Sequence, residues 1–156
     1  MEIKRIELEI ARWKKSIKRK IMLDGERYYR GEHDILKRKR TVIGKDGKLE
    51  EVQNLPNNKI VDNQYAKMVD QKVNYLMGKP LTFDTEDKIY EKELLSIFNN
   101  IFYRLLQNVS ENVLNCGIAF IHVYYDEEGN FKFKRFEPYE ILPFWKDAEH
   151  TVLDFV

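Results

Sequence analysis

The stretch NNKIVDNQYAKMVDQKVNYLMGKPLTF, residues 57–83, holds the most regular pattern in the chain. Its apolar side chains recur at the three- and four-residue steps of a helix face. They are Val61, Tyr65, Met68, Val69, Val73 and Leu76. The spacing predicts a helix over residues 62–77, about 24 Å long at 1.5 Å per residue. A helix with such a face usually organises a core, and it decides the fold predicted here.

The sequence also predicts where this helix begins and ends. Asn57, Asn58 and Asp62 offer side-chain oxygens that could cap its first turn. Gly78 predicts a left-handed stop, and Pro80 forbids continuation. The segment therefore reads as a loop, a helix, a sharp end and then an extended stretch.

Helical patterns also lie on both sides of this segment. Residues 3–20 carry a seam with alternating steps of three and four, which predicts one amphipathic helix packed on the body or on a neighbouring subunit. The seam consists of Ile3, Ile6, Ile10, Trp13 and Ile17. Asp24 and Gly31 are the predicted cap and end of a short second helix. Further helices are predicted over residues 88–100 and 100–116, the latter ended by Gly117.

The strands are predicted mainly in the last third of the chain. Residues 118–125 are apolar on both faces, which predicts a covered central strand. Residues 131–136 read as a half-exposed strand with a β-bulge near Arg135. A short strand followed by a helix cap is predicted at residues 81–87, a last strand at residues 151–156, and a small hairpin or loop at residues 41–52, where Gly44 and Asp46-Gly47 form the turn.

These elements predict an α+β fold, with amino-terminal helices and a long central helix packed on a mainly antiparallel sheet. We divide the chain into an amino-terminal helical segment, residues 1–36, an exposed basic hairpin or loop, residues 37–56, and an α+β core, residues 57–156. The final strand ends on apolar residues, so we expect the core to be truncated at its carboxyl end.

Composition narrows the class of protein. The chain has 156 residues, 43% hydrophobic and 13% aromatic, which is enough for one domain with a real core. Its single cysteine, Cys116, allows no internal disulfide, which suits a reducing compartment. No apolar run approaches the roughly 20 residues that span a bilayer, and the first residues lack the apolar block of a signal peptide. We therefore expect no membrane contact and a cytoplasmic location where the protein is made.

Charge is distributed unevenly along the chain. Residues 1–40 hold 14 Lys and Arg against 7 Asp and Glu, whereas the remainder holds 13 against 19. This asymmetry points to a polar partner or to contact between identical subunits. Four consecutive cations, Lys37, Arg38, Lys39 and Arg40, form the sharpest local signal and are called the basic segment below. They could contact phosphates or an acidic protein surface, although a solvated loop is the simpler explanation.

The residues that could carry chemistry do not form a reactive constellation. His33 lies between Glu32 and Asp34, but neighbouring side chains diverge and do not jointly hold a metal. His122 is expected to be a hydrogen-bonded core histidine. Cys116 stands at a helix carboxyl end, which disfavours the thiolate. We therefore predict no enzyme activity, no cofactor and no metal.

Four long and irregular motifs appear together in this order. They are YYRGEHDILKRKR, NNKIVDNQYAKMVDQKVNYLMGKPLTF, LNCGIAFIHVYYDEEG and FEPYEILPFWKD. In this combination the chain resembles the portal proteins of long-tailed bacteriophages and prophages of Gram-positive bacteria, from about Ile10 to Val156. Because each motif is long, the resemblance is specific.

The resemblance implies a structural role. Portal proteins form a homo-oligomeric ring, usually a dodecamer, at one capsid vertex, and double-stranded DNA enters and leaves through its channel. Major capsid and scaffold proteins surround the ring, the terminase large subunit docks on it, and head-completion proteins later replace the terminase. The protein would then be found in the virion, and in the host cytoplasm during assembly. The chain resembles the amino-terminal, mostly wing, part of such proteins.

Two functions therefore remain open from the sequence. The first is a structural fragment of a portal ring. The alternative is a nucleic-acid-binding module that uses residues 37–40 and the basic end of the first helix. The absence of interleaved aromatic residues weakens the single-strand-binding form of this alternative.

Overall fold

The fold is organised around one long helix near the middle of the chain. The computed structural model describes residues 3–52 and 54–155, with the side chain of Phe155 outside that description. Helix α5, Asn100–Cys116, is contacted by four elements. They are α2, Ile17–Tyr29; α3, Gln64–Leu76; strand β4, Phe131–Phe136; and the short 3-10 helix Pro138–Glu140. Asn99 Oδ1 caps α5 by accepting from the backbone N–H of Ile101 at 2.9 Å, and Gly117 ends it at a φ of 78°. The predicted helix and its glycine stop are confirmed, and the hub of the fold is α5.

The amino-terminal helix is interrupted. The prediction of one helix over residues 3–20 is wrong, because α1, Ile3–Lys14, stops and α2, Ile17–Tyr29, starts anew. Ser16 adopts extended backbone angles, and its Oγ accepts from the N–H of Arg19 at 3.1 Å, which makes it the cap of α2. A hydroxyl that bonds the backbone locally competes with helix continuation. Asp24 lies inside α2 and is not a cap, whereas Gly31, at a φ of 81°, follows its end as predicted.

Helix α3 is the predicted helix of the deciding stretch, shortened at both ends to Gln64–Leu76. Its cap is Asn63, whose Oδ1 accepts from the N–H of Ala66 at 3.1 Å, so the predicted caps were misplaced. Val69 and Val73 are buried against α2 and α5. Gly78 is not left-handed; a Cβ there would stand 2.5 Å from the carbonyl oxygen of Asn74. The glycine is needed for close approach to the helix end.

The segment after α3 contains no strand where one was predicted. Residues 81–87 are irregular, and helix α4, Lys88–Ile97, follows. Asp87 caps α4 by accepting from the N–H of Ile89 at 2.8 Å and of Tyr90 at 3.2 Å. The apolar run Leu81–Phe83 thus extends without a strand partner among the described residues.

The described strands form three separate two-stranded antiparallel sheets rather than one sheet. They pair β1, Thr41–Ile43, with β2, Leu49–Glu51; β3, Phe120–Tyr125, with β4, Phe131–Phe136; and β5, Phe144–Trp145, with β6, Leu153–Phe155. The predicted hairpin around Gly44 and the predicted last strand are present, although Val156, the last residue of that strand, lies outside the described residues. The α+β class is confirmed.

Strand β3 is not the covered central strand that its apolar sequence predicted. Among the described residues it pairs with β4 alone, and most of its side chains are exposed, including Tyr125 at 69%. The hairpin contacts α5 through Phe133, whose ring lies 4.5 Å from that of Phe102. The predicted bulge near Arg135 is also wrong, because Ile121 faces Arg135 in an uninterrupted register.

The centre of the helix packing is polar. Asn112 and Asn115, on the buried face of α5, are 1% and 6% exposed. Asn112 Oδ1 accepts from Arg135 Nη1 at 2.9 Å, and Asn115 Oδ1 accepts from the Tyr65 hydroxyl at 3.0 Å. Helix α2 crosses here at Gly25, where any Cβ would collide with the carbonyl oxygen of Asn115. Because buried amides tolerate few alternative arrangements, these bonds set how α2, α3 and β4 lie on α5.

Candidate functional site

The basic segment lies on the surface, between α2 and the first hairpin. Lys37 is the last residue of a short 3-10 helix, Asp34–Lys37, and the other three residues lead into β1. All four side chains are exposed. Lys39 Nζ contacts Glu51 Oε2 at 2.8 Å, which raises the pKa of Lys39. One of the four cations therefore already has an acidic partner within the chain.

The basic segment is attached to the body by bonds to its backbone. Asn57 Nδ2 donates to the carbonyl of Arg38 at 3.1 Å, and Lys59 Nζ donates to the carbonyl of Leu36 at 2.6 Å. Within the part of the chain that the structure describes, these bonds leave the side chains of Arg38 and Arg40 free to contact a partner molecule. The arrangement can neutralise an anionic surface but has no group that could perform a reaction.

A cluster of polar contacts fixes the turn that precedes the basic segment. Arg27 Nη1 contacts Asp34 Oδ1 at 2.7 Å, and the Tyr28 hydroxyl donates to Asp34 Oδ2 at 2.7 Å. The hydrogen bond from Arg27, followed by that from Tyr28, lowers the pKa of Asp34. Bonds to Asp34 correspondingly raise the pKa values of Arg27 and Tyr28. The motif YYRGEHD thus holds the 3-10 helix against the end of α2.

His33 and Asn63 link this turn to α3. The His33 ring stacks on Tyr28, and its Nε2 lies 3.1 Å from the carbonyl oxygen of Tyr28. The same nitrogen lies 3.3 Å from Asn63 Oδ1, and Asn63 Nδ2 donates to the carbonyl of Tyr29 at 2.8 Å. These contacts give His33 a structural role, because they join the end of α2 to the start of α3.

A groove between α3 and α5 gathers carboxylates around one tyrosine. The Tyr29 hydroxyl donates to Asp70 Oδ1 at 2.8 Å. Burial, followed by the negative charge of Glu26, raises the pKa of Glu111, while Arg135 opposes the rise. Burial and the bond to Asp70 likewise raise the pKa of Tyr29. The ionisable side chains of this groove therefore interact with one another where the helices pack.

An apolar groove of about 600 Å³ lies beside the bend between α1 and α2. Trp13, Ile21, Phe120 and Trp145 are among its walls. Cys116 also lines it, and burial raises the pKa of this thiol to about 11. At neutral pH the thiol is protonated, so Cys116 contributes a small apolar surface and no nucleophile.

The isoleucine side chains that form the predicted seam on helix α1 are exposed. We call Ile3, Ile6 and Ile10 the α1 stripe; their exposures are 74%, 38% and 40%. The helix is held to the body by Trp13, whose Nε1 donates to the carbonyl of Tyr139 at 3.3 Å. Arg19 Nε, from α2, donates to the same oxygen at 3.0 Å. The stripe thus continues the apolar groove onto an exposed surface.

The described residues hold neither a cluster of metal ligands nor a membrane-spanning helix. Across 3–52 and 54–155, no three His, Cys, Asp or Glu side chains are grouped so that they could hold a metal ion. In the described part of the chain, none of the helices combines the length and the apolar character needed to cross a bilayer.

The structure revises the predicted roles of single residues. His122 is exposed on β3, with its ring 5.4 Å from that of Tyr124, so its predicted place in the core is wrong. The roles of Arg135 and Tyr139 are absent from the sequence predictions, because both act on residues more than 20 positions away. Periodicity reports local faces and carries no signal for such pairs.

The fold is thus an α+β body with an exposed basic segment and a partly exposed apolar helix face, two kinds of surface that can contact other macromolecules. Residues 7–156 match the family described as phage portal protein, SPP1 Gp6-like, and the chain belongs to that family.

Two portal proteins illustrate the relationship. The chain is 32% identical over 126 residues to the portal protein of Bacillus phage SPP1, covering 81% of this chain and 25% of that protein. It is 27% identical over 165 aligned positions to the portal protein of Clostridium phage phiCD119, covering 100% of this chain and 36% of that protein. The chain thus spans between a quarter and about a third of the length of these relatives.

Proposed function

We propose that this chain is a structural component of a phage portal, a homo-oligomeric ring of about twelve subunits at one capsid vertex through which double-stranded DNA is packaged and ejected. The observation that carries the proposal is the family match over residues 7–156. The fold is compatible with it, because α2, α3 and β4 all pack against α5 in one unit. In this role the chain performs no chemical step.

Within the proposed ring, α3 acts as a scaffold. Its buried Val69 and Val73 fix one face against the body, while Tyr75, 90% exposed, and Leu76 face outward. Residues 57–156 would form the core of the wing, residues 1–36 an amino-terminal helical arm and residues 37–56 an exposed projection.

The proposed partners follow from the same role. They are neighbouring subunits, the major capsid and scaffold proteins, the terminase large subunit, head-completion proteins and the DNA in the channel. The protein would reside in the virion at the portal vertex, after assembly in the host cytoplasm. The basic segment offers one surface for an acidic partner or for phosphates.

Deletion of the reading frame that encodes this chain tests the proposal in a phage or prophage that carries it. We expect capsids without DNA, and a return of DNA-filled heads when the frame is supplied in trans. An epitope tag in the exposed turn at residues 45–48 should be found by electron microscopy at a single vertex. DNA-filled heads in the deletion strain, or a tag spread evenly over the capsid, would contradict the portal role.

The second candidate is a nucleic-acid-binding module centred on Lys37, Arg38, Lys39 and Arg40. The exposure of all four cations favours it, whereas the contact between Lys39 and Glu51 weakens it. We expect the 156-residue chain to bind duplex DNA with a Kd weaker than about 1 μM at physiological salt, because so few phosphates can be neutralised. Fluorescence anisotropy across a salt series measures this.

A matched pair of variants separates the two candidates. In Arg38→Ala/Arg40→Ala the basic segment loses both of its arginines. Lys45→Ala/Lys48→Ala removes two cations from the nearby turn. A submicromolar Kd that only the first variant weakens, with a steep salt dependence, would favour the nucleic-acid module over the purely structural role.

A further inference from the structure

We propose that the α1 stripe of one subunit docks on the α4 surface of a second copy of this chain, in a head-to-tail contact. The α4 surface consists of the acidic residues between positions 84 and 93, together with exposed apolar side chains beside them. Its members are Asp84, Glu86, Asp87, Glu91 and Glu93, with Ile89, Tyr90 and Ile101. This inference rests on the proposed ring and names the surfaces that would join its subunits.

The first argument is that α1 needs a partner. Its 12 residues make about 18 Å of helix, and helices this short are marginal in water unless an apolar face is packed. The α1 stripe is only partly covered by the described residues: Ile3 is 74% exposed, Ile6 38% and Ile10 40%, and the hydrogen bond of Trp13 holds the carboxyl end of the helix. An amphipathic helix whose apolar face is partly exposed can be completed by a second surface.

The second argument is charge complementarity. Residues 3–20 carry eight Lys or Arg against two Glu, whereas residues 84–93 carry five Asp or Glu against two Lys. Glu86 and Glu93 are exposed on the α4 side. Ile89, 73% exposed, and Tyr90, 52% exposed, lie on α4 among these charges, and Ile101, 80% exposed, lies in the first turn of α5, which follows α4 in the chain. The α4 surface thus offers the acidic and apolar groups that match α1.

The third argument is geometric. Cys116 Sγ lies 3.9 Å from the carbonyl oxygen of Met22, so α2, and with it the bend to α1, packs at the carboxyl end of α5. Helix α4 ends immediately before the amino end of α5. The two ends of α5 are about 25 Å apart at 1.5 Å per residue. Two complementary surfaces at opposite ends of one subunit favour a heterologous contact, which closes into a ring when the rotation between copies allows it.

Chemical cross-linking of the 156-residue chain tests the contact. The variant Ile6→Cys/Ile89→Cys carries one thiol on each surface, so a short bismaleimide should join successive copies into a ladder of dimers, trimers and longer chains. Each single variant, Ile6→Cys or Ile89→Cys, should remain monomeric. The parent chain measures the background from Cys116, whose protonated thiol reacts slowly.

A matched control moves the second thiol to an unrelated surface. Ile43 is 77% exposed, close to the 73% of Ile89, but it lies on the first hairpin. Ile6→Cys/Ile43→Cys should therefore give no ladder. Equal ladders from the two double variants, or no ladder from Ile6→Cys/Ile89→Cys, would overturn the proposal.

Charge reversal adds a second readout. Glu86→Lys/Glu93→Lys in the double-cysteine chain should lower the ladder yield by about fivefold, since attraction becomes repulsion. A second chain that carries Ile6→Cys and Lys14→Glu/Lys15→Glu, with isoleucine kept at position 89, is then added. Its thiol at position 6 should cross-link to the thiol at position 89 of the charge-reversed chain. An unchanged yield after reversal, or no cross-link between these two chains, counts against the contact.

These outcomes are separate from the test of the portal role. A missing ladder together with empty capsids in the deletion strain removes this contact and leaves the portal role standing. A specific ladder together with DNA-filled heads in that strain supports the contact between copies and removes the portal role.

Discussion

Single residues decide how closely the helices approach. Gly25 lies inside α2, where glycine ordinarily weakens a helix by about 1 kcal/mol relative to alanine. Here the glycine is required, because a Cβ would strike the backbone of Asn115, with the carbonyl carbon at 3.1 Å. The local preference of the helix is overridden by the crossing of α2 and α5.

We predict that Gly25→Ala destabilises the protein by about 1–3 kcal/mol, opposite in sign to the gain expected in an exposed helix. Urea denaturation followed by circular dichroism measures the free energy of unfolding. Gly44→Ala is the matched control, since its Cβ meets only the flexible end of the Glu50 side chain. A stabilised Gly25→Ala variant would show that α2 and α5 are farther apart than described.

Glu111 makes stability depend on pH. Burial and the charges of Glu26 and Asp70 raise its pKa above the usual 4.5, despite Arg135 and a hydrogen bond from Tyr29. The stability gained from the protonated form is fully present below the usual pKa, and it is lost as the pH rises through the raised value. Glutamine keeps this position neutral at every pH. We therefore predict that Glu111→Gln has a higher Tm than the parent at pH 7 and the same Tm at pH 3.

Thermal melts at these two pH values provide the measurement, and Glu93→Gln, on the exposed side of α4, provides the control. The control should match the parent at both pH values. If Glu111→Gln melted lower than the parent at pH 7, the carboxylate would be a net stabiliser and the raised pKa would be wrong.

At the scale of elements, sequence patterns located helices more reliably than strands. The helices α3, α4 and α5 follow from apolar spacing and from local caps, which act within a few residues. The apolar run of β3 was misread as central, because alternation does not reveal how many strands pair beside it. The break at Ser16 depends on one side-chain hydrogen bond within an otherwise continuous pattern.

The packing of α3 yields a prediction for that element. Val73→Ala should cost about 1–3 kcal/mol, because Val73 is buried against its neighbours. Tyr75→Ala, two residues along the same helix, should change stability by less than about 0.5 kcal/mol, because Tyr75 is 90% exposed. The free energy of unfolding of each variant, compared with that of the parent, tests this difference. Similar losses at both positions would mean that α3 is covered on both faces.

At the scale of the whole molecule, the surface is divided between a basic amino-terminal part and an acidic remainder. Surface ion pairs contribute only about 0–1 kcal/mol each, so the proposed contact between copies is weak for the chain alone. We predict that the 156-residue chain is monomeric or weakly associated in dilute solution, with association that falls as salt is added. Light scattering across a concentration and salt series measures this, and a stable dodecamer of the chain alone would contradict it.

The sequence by itself determined the α+β class, the existence of the three later helices, the first hairpin and the family, because spacing and long motifs are properties of neighbouring residues. It also marked Lys37 to Arg40 as an exposed charge. Only the tertiary structure decided the polar centre around Asn112 and Asn115, the open state of the α1 stripe and the division of the strands into three hairpins. Those features depend on groups brought together from distant positions, and no local pattern encodes such contacts.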